Sequence, residues 1–474
     1  MSWQSTYEPG MELYGGIHYS DYPDPDNITR MDLAALPMIA DFHRFGIRID
    51  IPYLNNLTSR IDKIQEEIEF ETSIHIGDYQ YVHPKTGVRT PFSIGSRDHL
   101  SQLLFEEWKV QGDDPVPMTP KGKRFEVSEE IMEPFKDRHP AIPGFIEWHK
   151  VDKLKNTYTS VLPGLVDSES RLHTQFNATV AATGRLSSSN PNLQNIPVRS
   201  ELGKAIRGAF IATEGWDLIS ADFSQLEMVW AAHRSQDPTM LDIFRRGQDL
   251  HDRTACSVFG LDYEEIQALK KLVANKTATP AQISEFNDFK QFQRLPCKTV
   301  GFGVLYGQTA DGLQKSLASE GIFWTLERCE DFIAHKFFAV YSRLKSMLDR
   351  DYAYATRYGL ICDEFGRVRL VPEAKSQLKR IRNEGLRKAG NHPEQSSGQG
   401  STKIAMARLT PICRKFGPNM VKPLLQIHDQ IIAEARKELS SEFAEIMKQE
   451  MEAATPLTIP LRSSSDIGER WSDL

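Results

Sequence analysis

The sequence predicts an α+β protein, and three observations carry that prediction. Apolar residues recur at helical spacing from Met31 to Ile68, through residues 70–150 and again over 262–293. Strand-like apolar runs are few and short: Trp216-Asp217-Leu218-Ile219, Leu424-Leu425-Gln426-Ile427 and Ile431-Ile432-Ala433. The last two flank His428-Asp429-Gln430 closely enough to form a hairpin whose tight turn carries Asp429.

The 474 residues suggest roughly three units of about 150 residues each. At 40% hydrophobic and 26% charged, the chain has ample core for a globular protein. No apolar run approaches the ~20 residues needed to span a membrane. The start, Met1 to Thr6, has no basic region followed by an apolar block, so no secretory signal is expected. Five cysteines (Cys256, Cys297, Cys329, Cys362 and Cys413) lie singly, with no CxxC. That argues against a disulfide framework or structural zinc and fits a reducing, cytoplasmic compartment. A net charge of −7 weighs mildly against nucleic-acid binding. It does not decide the matter, because an enzyme that slides along DNA can carry local cations on an acidic body.

Residues 1–30 are polar, acidic and tyrosine-rich, with Tyr7, Tyr14, Tyr19 and Tyr22. An irregular tail packed on the body and a docking segment for another chain are both open readings. Gly46 to Asp50 is an extended break between two helical stretches. Pro84 to Arg89 and Thr119 to Arg124 read as turns presenting cations, either solvated or touching phosphates. Ser96 to Glu107 reads as a capped helix, Lys153 to Thr159 as a helix end, and Leu172 to Asn177 as a strand. Thr183 to Pro197 reads as a loop dense in amides and hydroxyls, with Arg185 and Arg199 near its ends.

Ser220-Ala221-Asp222-Phe223-Ser224-Gln225-Leu226-Glu227 marks the passage from a strand to a helix, since Leu226, Val229, Trp230 and His233 keep helical spacing. Ser224 and Glu227 form a capping-box pattern. Taken alone, Asp222 reads first as a turn or cap residue. A Mg²⁺ ligand is the second reading, since Mg²⁺ takes one or two carboxylates and keeps waters and phosphate oxygens. Residues 262–293 are helical with a break at Thr279-Pro280. After them Arg294, Lys298, Phe302 and Tyr306 follow one another about one turn apart, and Gly307 fits the stop. That order suits a nucleoside triphosphate, with phosphates at the cations and sugar or base at the rings. An ordinary helix with a basic face is the alternative. Gly301 and Gly303 weaken a plain helix by roughly 1 kcal/mol each.

These stretches together resemble the DNA polymerase I family (family A). Asp222 to Glu227, the Arg294/Lys298/Phe302/Tyr306/Gly307 helix and the His428-Asp429 turn are similar to its three polymerase motifs. Thr183 to Ser188, Asn192 to Pro197 and Leu154 to Tyr158 resemble its template–primer segments, and Asp249-Leu250-His251 and Asn391 to Gln395 fit as well. The similarity runs from Leu36 to Trp471.

The resemblance implies a right-hand polymerase fold. Its antiparallel-sheet palm would be residues 31–64, 151–234 and 411–474, its helical thumb 65–150 and its helical fingers 235–410, after a 1–30 extension. It implies template-directed DNA synthesis from dNTPs on a primer–template, with two Mg²⁺ ions on Asp222 and Asp429 and Mn²⁺ as a substitute. Arg294 and Lys298 would grip phosphates, with Lys298 protonating pyrophosphate, and His251 would touch the phosphates too. Phe302 would pack on sugar and base, and Tyr306 would stack where the template base enters. Glu227 would exclude a ribose 2′-hydroxyl, and Gln225 would line the nucleotide site. Arg185, Gln194, Arg199, Arg387, Asn391, Gln395 and His428 would contact the primer–template.

Three departures from the family pattern stand out. Gln430 replaces a usual Glu, so a third carboxylate is expected to be absent; Val229 replaces a usual Arg; and residues 262–293 and the loop near Tyr79-Gln80-Tyr81 are long. About 30 residues precede the match, so no 3′–5′ exonuclease domain is expected. A compact phage-type replication enzyme is the implied origin, with an exonuclease, helicase or processivity chain as separate partners. A single-subunit RNA polymerase is a rival that Glu227 and Phe302 speak against. A catalytically silent primer–template scaffold is the rival from another class.

Overall fold

The computed structural model describes residues 26–120, 122–198 and 200–474, without the side chains of 26, 27 and 302. The tyrosine-rich segment 1–25, Lys121, Arg199 and the Phe302 side chain therefore lie outside the described residues.

The chain builds its centre from a four-stranded antiparallel sheet. Its strands are β1 (Trp216–Phe223), β2 (Val421–Ile427), β3 (Gln430–Arg436) and β4 (Ser463–Gly468), in the order β2-β3-β1-β4. β2 tolerates Pro423 because it is an edge strand, and the ladder is irregular between Pro423 and Leu425. The hairpin expected around His428-Asp429 is present, closed by the Ile427–Gln430 pair. A small sheet of Arg171–Leu172, Ile47–Ile49 and Phe210–Ile211 lies beside it. The two are joined where Arg171 Nη2 meets the fully buried Glu434 of β3 at 2.5 Å.

The principal helices are α1 (Asp26–Phe45), α2 (Ile51–Ile76), α3 (Ile142–Leu154), α4 (Leu226–Ser235), α5 (Leu250–Phe259), α6 (Tyr263–Ala274), α7 (Pro280–Asp288), α8 (Leu295–Leu305), α9 (Ser342–Tyr358), α10 (Lys379–Phe416) and α11 (Ser440–Glu452). α10 is 38 residues long and buried along most of its C-terminal two-thirds. Its Gly400 is required by packing, because a Cβ there would strike the Phe365 ring. One large core links the sheet with α1, α4, α5, α8, α9, α10 and α11. A second core, with Leu100, Leu103, Phe105, Phe135, Ile142, Phe145 and Trp148, belongs to the segment after α2 and to α3. Trp148 Nε1 pins it to Glu69 of α2 at 2.8 Å.

Three local expectations are corrected. Leu172 to Asn177 is two strands in different sheets, because Gln175–Asn177 turns away to pair with Ser187–Ser189. The Thr183 to Pro197 loop therefore contains a short strand. The segment near Tyr79-Gln80-Tyr81 is likewise no loop but a hairpin of Gln80–Val82 with Arg89–Pro91.

Immediately after the Asp222 stretch, α4 is bolted to α9 and α10. Arg234 pairs with Asp351 at 3.1 Å, with Glu364 at 2.8 Å and with Glu394, all four side chains being buried. Burial raises the Glu394 carboxyl from 4.5 to about 7, against the pull of Arg234. The native state therefore holds a proton that the unfolded chain releases, so stability falls as pH rises from about 4.5 to 7. Removing the one cation strands three buried acids. Arg234→Met is expected to destabilise the fold by about 3–5 kcal/mol in urea unfolding at pH 7. Glu394→Gln is expected to flatten the pH slope of the unfolding free energy over that window.

Candidate active site

The register of the sheet puts two acids side by side. Asp222 is the penultimate residue of β1 and pairs across the ladder with Gln430, the first residue of β3. Asp429, one residue earlier in the hairpin turn, is thereby held beside Asp222. The turn is itself held from behind. His428 sits in the left-handed region at φ +57°, and its carbonyl accepts from Gln399 Nε2 of α10 at 2.9 Å and from Gln426 Nε2. Gln194 Nε2 in turn donates to the Gln426 backbone oxygen at 3.1 Å. Gln194, expected on the primer–template, thus anchors the hairpin here.

Nothing among the described residues neutralises the acid pair through a salt bridge. Asp222 Oδ1 is buried without a hydrogen-bond partner. Burial, then the charge of Asp429, push the Asp222 carboxyl from 3.8 to about 7. Burial likewise raises Asp429, with Glu227 adding to it. An orphaned buried oxygen on one of two crowded carboxylates fits a divalent cation. Among the described residues no group of three or more acid, His or Cys side chains could hold one. Asp222 and Asp429 would therefore share an ion with water or phosphate oxygens, which is the habit of Mg²⁺. Gln430 stands where a third acid was expected to be absent, and it pairs with Asp222 across the ladder. Asp466 of β4 is exposed two residues beyond Ser464, the partner of Asp222, and its charge adds to the rise at Asp222.

Glu227 does not form the capping box that Ser224 suggested. α4 starts after Gln225, which caps it in the left-handed region at φ +53° with no side-chain bond. Glu227 instead accepts from Arg185 Nη2 at 2.9 Å and from Tyr306 Oη. Gln395 Nε2 of α10 reaches the same tyrosine oxygen at 3.2 Å. Burial and Glu227 push the Tyr306 hydroxyl up to about 12, so it stays a donor. Gly307 follows at φ +67°, where a Cβ would sit 2.5 Å from Arg387 Cγ. Arg387, Asn391 and Gln395 recur every four residues along one face of α10.

The cationic end of α8 departs from the single helix expected. Arg294 closes a π-helical turn, Phe289–Arg294, and α8 begins after it with Pro296 in its first turn. The guanidinium donates through Nε to Asp252 and through Nη2 to Asp249 at 3.2 Å. Burial opposes its charge, but the two carboxylates outweigh burial and raise its pKa. Burial lowers His251 to about 4, and it feels Asp249, Arg294, Lys298 and Asp252, so these groups surround one point. Lys298 forms no ion pair with a described residue. Sequence reasoning missed Asp252 and Gln399, whose partners are distant in the chain, and Gln426, whose amide holds the His428 carbonyl two residues on.

The profile of DNA polymerase family A matches residues 65–276 and 270–473. This chain belongs to DNA polymerase family A. It is 34% identical over 435 residues to the thermostable DNA polymerase I of Thermus aquaticus, covering 92% of this chain and 47% of that one. It is 34% identical over 429 residues to DNA polymerase I of Deinococcus radiodurans, covering 90% of this chain and 40% of that one. The chain thus spans about half the length of the curated relatives it matches. The polymerase domain of Pol1 from M. smegmatis, solved with primer–template DNA and dNTP, superposes with a TM-score of 0.76 at 29% identity. That match covers 94% of this chain and 70% of the other. The α+β right-hand fold expected from the family resemblance is therefore the fold of this chain. No helix among the described residues is long and apolar enough to cross a membrane.

The crowded acids carry a consequence for stability. Because the folded pKa of Asp222 is raised from 3.8 to about 7, metal-free protein loses stability as pH rises through that interval. Asp222→Asn is expected to raise unfolding stability at pH 8 in chelator by roughly 1–2 kcal/mol. Added Mg²⁺ is expected to stabilise the unmodified protein and leave the variant unchanged, as read by thermal melts.

Proposed function

We propose that this family A chain is a template-directed DNA polymerase that extends a primer 3′-hydroxyl with dNTPs during DNA replication. The observation that carries the reading is the juxtaposition of Asp222 and Asp429 at the ladder's end, with an orphaned buried oxygen and no salt-bridged cation among the described residues. Two Mg²⁺ ions on this pair would supply the charge that activates the hydroxyl and steadies the departing pyrophosphate. The chain's own groups do the positioning, on which phosphoryl transfer chiefly depends.

Arg294, Lys298 and His251 bind the triphosphate, and Lys298 Nζ gives its proton to the leaving pyrophosphate oxygen. Phe302 packs on the nucleotide. Gln225 lies beside it at the start of α4. Glu227, tied to Tyr306, stands where a ribose 2′-hydroxyl would enter and rejects it, leaving that tyrosine to meet the template base. Arg185, Gln194, Arg199, Arg387, Asn391, Gln395 and His428 line the primer–template. We assign 65–150 to the thumb, a division favoured by its separate core, 235–410 to the fingers, and 31–64, 151–234 and 411–474 to the palm.

On an end-labelled primer with template, Mg²⁺ and dNTPs, the unmodified protein is expected to extend the primer. Asp222→Asn and Asp429→Asn should each slow extension by about 10³-fold or more while duplex binding persists. We assign no nuclease to these residues, so the primer should stay full length when dNTPs are withheld. Glu227→Ala should raise ribonucleotide incorporation relative to deoxyribonucleotide by at least about tenfold. A protein that binds duplex but never extends it would be a scaffold, and equal use of rNTPs by the unmodified protein would mark an RNA polymerase.

A further inference from the structure

Residues 262–293 are longer than the family resemblance led us to expect, and the structure gives their first helix a definite attachment. Tyr263, Gln267 and Lys270 stand at positions i, i+4 and i+7 of α6, which is one helical face. All three reach the short segment Asp249–Asp252 at the start of α5. Tyr263 Oη accepts from the Asp249 backbone N–H at 3.2 Å. Gln267 Nε2 and Lys270 Nζ donate to one oxygen of Asp252, Oδ2, at 3.0 and 2.7 Å. The other oxygen of Asp252, Oδ1, accepts from Arg294 Nε. Asp252 is 1% exposed, so its carboxylate is fixed between the two elements.

The charges that pair with these two acids or act on the buried His251 are nearly balanced. Asp249 and Asp252 stand against Arg294 and Lys270, which pair with them, and Lys298, which acts on His251, a surplus of one positive charge. Lys270 supplies that surplus. Without it the two acids would cancel Arg294 and Lys298, and an incoming triphosphate would meet a neutral site. Arg294 Nη1 has no partner among the described residues, which leaves a donor for a phosphate oxygen while Nε and Nη2 are held.

We infer that Lys270 and Gln267 of α6, acting through Asp252, are positioning residues that orient Arg294 and keep its charge available to the triphosphate of the incoming nucleotide. This rests on the polymerase reading, and it gives the long 262–293 stretch a role in nucleotide binding. Lys270 and Gln267 touch no substrate themselves. They act on KM for dNTP and leave kcat and DNA affinity alone.

The test measures KM for dNTP, kcat and primer–template Kd for the unmodified protein, Lys270→Gln, Lys270→Arg and the double variant Lys270→Gln/Asp252→Asn. Lys270→Gln is expected to raise KM about tenfold, the size of a charge-assisted contact, with kcat and duplex Kd within about twofold. Lys270→Arg restores the charge and should recover KM. The double variant removes one charge of each sign and should recover part of it. Tyr263→Phe, which deletes only a hydroxyl, should raise KM two- to threefold. An unchanged KM in Lys270→Gln overturns the inference. So does a parallel loss of KM, kcat and duplex binding that Lys270→Arg does not rescue, which would mark α6 as a structural brace. An unmodified protein that extends no primer overturns the polymerase reading and this inference with it, whereas normal extension with an indifferent Lys270 overturns only the inference.

Discussion

Two like charges held close together in adjacent strands are the constraint on which this structure turns. Asp222 and Asp429 repel each other, and burial makes each more costly. Left to itself, a hairpin tip would relax by moving its acid into solvent. It does not, because the His428 carbonyl behind Asp429 is held by two amides and β3 is laddered to β1 along seven residue pairs. The sheet holds the pair together against this repulsion, which a bound divalent cation would relieve.

The helices around the sheet read as supports for that arrangement. α10 alone supplies Gln399 to the hairpin carbonyl, Gln395 to Tyr306, and Glu394 to the Arg234 cluster that seats α4. One helix therefore reaches the hairpin of the acid pair, the Glu227–Tyr306 contact and the C-terminal end of α4. Glu227 and Tyr306 lie 79 residues apart, and their bond joins the start of α4 to the end of α8. Arg185 holds the other oxygen of the same carboxylate.

The sequence made the acids legible because short apolar runs and a tight turn are local signals. Trp216 to Ile219 and the Leu424 to Ala433 hairpin need no distant partner to be recognised. The Arg294 to Tyr306 stripe was legible for the same reason, although the π-helical turn at Arg294 was not, since no residue pattern announces it. The capping-box expectation at Glu227 fails because Ser-x-x-Glu does not by itself fix where a helix starts, and only the fold shows that Arg185 and Tyr306 claim both oxygens. Gln399 and Gln426 gave no signal at all: an amide in a buried helix or strand has no periodicity of its own. Asp252 lay in plain view beside His251, but its partners Lys270 and Arg294 are 18 and 42 residues away and meet it only after folding.

The most direct test of the central claim is Mn²⁺ binding followed by electron paramagnetic resonance, with primer–template and a non-hydrolysable dNTP present. If Asp222 and Asp429 together form the cation site, the free Mn²⁺ signal should fall with the unmodified protein. It should return to the protein-free level with Asp222→Asn/Asp429→Asn. Undiminished Mn²⁺ binding by that double variant, with the duplex still bound, would contradict the account, because the ion would then be held by groups other than the two acids that the sheet forces together.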